Sequence, residues 1–282
     1  MDLIDCMSGR YATAKSYWRV IFLTQGVVLG ISLAQAFDPS QRLLLIAGTL
    51  SMAGPVCVYF LKNAAATYYG QGERLRRLLV LSEGLGQTVS ESETKLILLD
   101  APEIVMNLEP RSRGKYFDTD LPVGPKRVAR IIQESAFYTH KLAEVAGKFY
   151  FFLVALGMAV AVWVLWAALS SGHPTGPDQI AKSFSSVIVF FAAGMFVGLY
   201  SSFSSLSTAA RRTYEKAGQL VSVESVELSD ALLLMADYDC SLAKAPPIPG
   251  FAHWLMRDRI SNAWSATETQ ERSDDAVRGK IQ

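Results

Sequence analysis

Two basic segments hold the residue types that bind phosphate. Residues 110–116 read Pro-Arg-Ser-Arg-Gly-Lys-Tyr and residues 125–130 read Pro-Lys-Arg-Val-Ala-Arg. Arg111, Arg113, Lys115, Lys126, Arg127 and Arg130 form a dense set of N–H donors, and guanidinium groups match phosphate oxygens two at a time. Tyr116, with Phe117 beside it, can stack on a base. Pro125 suits the first position of a helix, so the second segment opens a helix whose free N–H groups and positive dipole end attract anions. Arg127 and Arg130, three apart, share a face of that helix. A third run, Arg74, Arg76 and Arg77, offers further phosphate donors.

Other chemistry is thinly represented. Cys6, Cys57 and Cys240 are odd in number and widely spaced, no CxxC pair occurs, and there are three histidines, His140, His173 and His253. These counts support neither a zinc site nor a disulfide framework. Asp237 and Asp239 lie two apart, so on a helix they point in different directions. They have no third ligand at metal spacing and read as structural, with Asp239 capping a helix or pairing with a nearby arginine. No nucleophile–histidine–acid set is visible, so the expectation is a protein that is no enzyme and carries no metal or cofactor.

The elements that must position these residues are apolar. The chain has 282 residues, 50% hydrophobic and 19% charged, against a globular norm near ~25% charged. Residues 20–37, 43–61, 149–177 and 183–210 contain no Asp, Glu, Lys or Arg. A spanning helix needs roughly 17–25 apolar residues, so four membrane spans are expected and a soluble globular enzyme is excluded. Of 27 Lys and Arg, all but Arg42 and Lys182 fall on one side if every segment crosses. The positive-inside rule makes that side the cytoplasm, with both termini and residues 62–148 inside. Ala34-Gln35-Ala36 has the form of a signal-peptide cleavage site, but the leader before it is long and contains Asp2 and Asp5. The net charge of +1 argues against DNA or RNA as a partner.

The expected fold is therefore an all-α membrane protein: two transmembrane hairpins with a mostly helical cytoplasmic domain built from the central insert and the tail. The boundaries read as an N-terminus at 1–17, hairpin one at 18–61, an insert at 62–148, hairpin two at 149–210, a helical tail at 211–265 and a disordered tail at 266–282. Within the insert, residues 73–81 have helical apolar spacing and end near Gly84 and Gly86. Ser90-Glu91-Ser92-Glu93 is a capping-box pattern, residues 107–124 read as a loop, and Val128, Ile131, Ile132, Ala136 and Leu142 mark one face of a helix that can run unbroken into span three. In the tail, span four can continue as a long helix to Ala243, and Pro246-Pro247-Ile248-Pro249-Gly250 stops it. Phe251, Trp254, Leu255, Ile260 and Trp264 suggest a last amphipathic helix. Gly26-x-x-x-Gly30 and Gly194-x-x-x-Gly198 allow close helix packing, within or between subunits. Against the phosphate reading, basic residues also gather in cytoplasmic loops because of topology and anionic lipid, and Arg74, Arg76 and Arg77 can serve Glu73, Glu83 or lipid headgroups.

The tail is the most specific stretch. Asp237-Tyr238-Asp239-Cys240-Ser241-Leu242-Ala243-Lys244-Ala245-Pro246-Pro247-Ile248-Pro249, with Trp264 downstream, resembles the signature of the four-transmembrane SMODS-associating effector family of cyclic-oligonucleotide anti-phage signalling. Gly72–Leu79 after span two, Gln133–Thr139 before span three and the two-plus-two layout are similar too. The resemblance implies an effector that answers a cyclic di- or trinucleotide, made by a partner synthetase, by permeabilising the inner membrane and killing the infected cell. It implies no catalytic residues and no mapped ligand site. The residues themselves point to Arg111, Arg113, Lys115, Tyr116, Lys126, Arg127, Arg130, Arg76, Arg77 and Tyr238 as candidate ligand contacts, to membrane lipids as a partner, and to a homo-oligomer. Two other classes stay open: a non-conducting membrane scaffold that recruits soluble partners, and an integral membrane enzyme acting on lipid.

Overall fold

A computed structural model describes residues 3–37, 41–90, Ser92, Lys95, Phe117, 119–170 and 195–278. Among these, every regular element is a helix: α1 (Leu3–Phe37), α2 (Gln41–Leu85), α3 (Pro125–Ser170), α4 (Met195–Ser222), α5 (Leu228–Ala243) and α6 (Gly250–Arg278). By length and composition, one of them, at Pro125–Ala159, is long and apolar enough to cross a membrane. Residues 171–194, which hold the second interhelix loop and the start of the fourth expected span, lie outside the described residues, as do the expected turn at 38–40 and most of the capping-box segment.

The chain forms two compact units that part at 74/75, 146/147 and 202/203; the expected hairpin ends were 61/62, 148/149 and 210/211. The first unit contains residues 3–74, 147–170 and 195–202. Here α1 and α2 run antiparallel, because Val28 lies against Gly54, Tyr17 stacks on Tyr68 and Tyr11 lies against Tyr69 and Gly72. Met7, Ala14 and Ile21, seven apart, supply the buried stripe of α1, a spacing that keeps side chains on one face over two turns. Phe22, Tyr150 and Phe196 then form an aromatic cluster joining α1, α3 and α4. Among the described residues, a methyl group added at Gly26, Gly30 or Gly198 would meet nothing within 4 Å, so packing among them does not consume these small faces.

The second unit contains residues 75–90, 119–146 and 203–278, with Ser92, Lys95 and Phe117. Its centre is the first half of α3. Val128, Ile131, Ile132, Ala136 and Leu142, the face expected from the apolar spacing, are all buried. The helix starts at Pro125, and α2 ends at Leu85 with Gly86 at φ +67°, the left-handed conformation that closes a helix and suits glycine. Gly124 N–H donates to the Gly84 carbonyl at 2.8 Å, satisfying one of the orphan acceptors at the end of α2. Against α3, α4 runs antiparallel: Lys126 pairs with Val223, Gly218 with Gln133, Phe137 with Tyr214 and His140 with Ser207.

Two expectations for the tail change. The long helix to Ala243 is broken at 223–227, although no proline or glycine stands there. Ser222 Oγ takes the Gln219 carbonyl, the Val223 N–H turns back to Leu220, and Lys126 Nζ caps the Val223 carbonyl, so the end of α4 is satisfied without a breaker residue. At the other end α6 continues to Arg278, where the polar composition predicts disorder from 266. Ser265, Thr267 and Thr269 each bond a carbonyl one turn back, so the hydroxyls that favour disorder are absorbed by the helix.

Candidate ligand site

The tail motif docks on α2 and α3 through two consecutive residues. Tyr238 is fully buried on the inner face of α5, with Ala231, Leu234 and Leu242. Its hydroxyl donates to the Ser135 carbonyl at 3.0 Å and lies 2.7 Å from Thr139 Oγ1. The Arg76 guanidinium stands over the Tyr238 ring, 5.0 Å from its centre. Asp239 holds two arginines of α2: Arg76 directly, and Arg77 through Nε at 3.2 Å. Asp239 therefore pairs with a nearby arginine, as its position in the motif suggests. Asp237 points elsewhere, toward Lys216 at 3.7 Å.

This geometry divides the candidate residues. Arg76, Arg77 and Tyr238 are brought together around Asp239, whose carboxylate already occupies donors that a phosphate would need. Arg76 is buried and the Asp239 side chain is mostly covered, while the Arg77 side chain is half exposed. Lys126, Arg127 and Arg130 open α3 as expected, and each has a structural contact. Lys126 caps α4, and Arg127 Nη1 donates to the Leu121 carbonyl at 2.9 Å. Arg130 is 8% exposed, bonds Gln133 at 2.8 Å and lies 4.7 Å over the Trp264 ring. Arg130 is therefore a core residue on the side facing α6, not a donor open to solvent. Arg127 differs from the other two: its Nε–H is buried without an acceptor among the described residues. Arg111, Arg113, Lys115 and Tyr116 lie outside the described residues.

Trp264 joins Phe137, Leu142, Ala252 and Ile260 in a buried cluster with Ile248 of the proline stretch packed against it. The proline run thus turns the chain from α5 into a helix whose inner face is Ala252, Ile260 and Trp264. Trp254 and Leu255, expected on the same apolar face, are exposed instead.

Two polar clusters were not visible in the sequence. In the first unit Arg10 reaches Gln71 and the Tyr11 hydroxyl donates to Glu73 at 2.7 Å, so Arg10 and Glu73 are buried with partners. In the second, His140 Nδ1 lies 2.9 Å from Ser207 Oγ and 3.0 Å from the Ser207 carbonyl, and Nε2 is 3.9 Å from Glu144. This sets a serine distant in sequence against a histidine that has an acid one turn further along its own helix. Ser207 sits within α4, where backbone N–H groups point along the helix and bond to its own carbonyls, so they offer no oxyanion donors. The cluster acts as a clamp between α3 and α4. Among the described residues no group of three metal-ligating side chains occurs. No family model, no curated protein and no solved structure matches this chain.

Proposed function

We propose that the chain is a multi-pass inner-membrane effector of bacterial anti-phage defence, gated by a cyclic oligonucleotide and permeabilising the membrane. In this reading four spans form two hairpins, both termini lie in the cytoplasm, and the second unit is the cytoplasmic, ligand-sensing part. The observation that carries it is the distribution of exposed apolar side chains. Most large apolar residues open to solvent belong to the first unit, among them Leu23, Met52, Phe60, Phe152, Trp163 and Trp166. Such an expanse is far beyond the scattered exposed leucines of a soluble surface, and lipid is the partner that covers it.

The motif Tyr238–Pro249, which carries the resemblance to the four-transmembrane effector family, supports the reading by its placement. It holds α5 and α6 against the helix α3 that leads into the apolar stretch. The buried Arg127 Nε–H at the start of that helix, which has no acceptor among the described residues, supports an anionic ligand near Lys126 and Arg127. The test is dye release from liposomes carrying the purified protein, titrated with a panel of cyclic di- and trinucleotides. Release is expected with one of them and is expected to be lost in Arg127→Glu, with insertion unchanged. If none of the panel releases dye, the gating reading fails.

A further inference from the structure

Two exposed faces of the second unit are left over after the site is accounted for. The first is on α5 and its lead-in. Leu228, Leu232 and Leu233 are 47%, 36% and 64% exposed, and Glu224, Glu227 and Asp230 are exposed around them. Residues 217–243 contain no Lys or Arg at all; Lys126, at the Val223 carbonyl, offsets one of these charges. The second face is on α6, where Trp254 is 83% and Leu255 55% exposed, beside Arg257 and Arg259 with Asp258 as the opposing charge. Grouped apolar side chains inside a charged rim mark an interaction surface rather than ordinary exposure, and tryptophan and arginine dominate such surfaces energetically.

The two faces lie on different flanks of the subunit. α5 docks at Ser135 and Thr139 of α3, whereas α6 docks at Arg130 and Phe137. At about 100° per residue, positions 137 and 139 are about 160° apart around α3, and positions 130 and 139 about 180°. One flank is apolar and acidic, the other aromatic and basic. A surface that is complementary to another surface of the same molecule, and not to itself, makes a head-to-tail contact.

We infer that this chain assembles with copies of itself through a head-to-tail interface, the leucine-and-acid face of α5 in one subunit seating the Trp254–Leu255 face of α6 in the next. The charges orient the contact and the apolar centre holds it. Because the contact is heterologous, repetition closes a ring or extends a chain, and neither face is satisfied in a free subunit. The inference concerns contacts between subunits and stands independently of any gating ligand.

The experiment measures native mass of the full-length protein in detergent without nucleotide, for Leu233→Glu, for Trp254→Glu and for an equal mixture of the two. Both side chains are exposed, so helix content by circular dichroism is expected to stay at the wild-type level. Each variant alone is expected to be a monomer, and the mixture to form dimers that grow no further, since each partner retains one intact face. Raised salt is expected to shift the wild type toward smaller species. A monomeric wild type, variants that keep the wild-type mass, or a mixture that stays monomeric would overturn the proposal.

Discussion

Arg76 and Arg77 are neighbours in sequence and share one carboxylate, yet their surroundings differ. Arg76 and Asp239 have side chains only 8% and 12% exposed, while that of Arg77 is 49% exposed. Breaking a buried pair costs up to about 3–5 kcal/mol, and removing Arg76 leaves the mostly covered Asp239 to the half-exposed Arg77; an exposed pair is worth less than about 1 kcal/mol. Arg76→Met is therefore expected to destabilise the protein severely and Arg77→Met barely, read as thermal midpoints in detergent. Equal effects would mean that the pair is not differentially buried. Lys15 gives a pH test. Burial, and then the nearby positive charge of Arg19, hold its pKa below the usual 10.5. Between the lowered folded value and 10.5 the unfolded chain binds more protons, so stability rises with pH across that window and is lowest below it. Lys15→Met is expected to raise the midpoint at neutral pH and to flatten this rise, which a pH series of melting curves checks.

The junction between α2 and α3 depends on two glycines for different reasons. A Cβ at Gly84 would stand 2.5 Å from Val128 Cγ2 and 3.3 Å from Val128 Cα, so even alanine forces the end of α2 away from the first turn of α3. Gly86 has space limited only by Val123 but adopts φ +67°, which costs a residue with a Cβ about 1 kcal/mol. Gly84→Ala is expected to be the more damaging of the two, at about 1–3 kcal/mol for overpacking, with hydrogen exchange rising at both helix ends. Similar losses at both positions would show that the backbone conformation, not the close approach, governs the junction. The break between α4 and α5 belongs to the same level: the Ser222 hydroxyl satisfies a carbonyl locally within α4, while the Lys126 cap on Val223 comes from packing α4 on α3.

In the proposed four-span arrangement, the charge partition and the apolar surface of the first unit lead to one expected sidedness. Single cysteines introduced at Ser112 and Thr175, in a background with the native cysteines replaced, are expected to label from opposite sides of sealed vesicles. Labelling of both from the same side would remove the four-span topology. A protein that crosses only once, at Pro125–Ala159, would leave exposed apolar side chains such as Leu23 of α1 and Phe60 of α2 without lipid, so the labelling result also decides what covers them.

Periodicity and punctuation made much of the helical plan legible. The buried face of α3, its start at Pro125, the end of α2 near Gly84 and Gly86, and the stop at Pro246–Gly250 all follow from spacing and from residues with restricted backbones. The all-helical class follows from the same local information, because i, i+3 and i+4 contacts and caps act within a turn or two. Partners distant in sequence are not encoded that way. Asp239 with Arg76, Ser207 with His140, Arg130 with Trp264 and Tyr11 with Glu73 are each set by which helix faces meet, and no local pattern records it. For the same reason Arg130, which reads as a phosphate donor beside Arg127, is in fact buried: its guanidinium meets the ring of Trp264, a partner far along the chain.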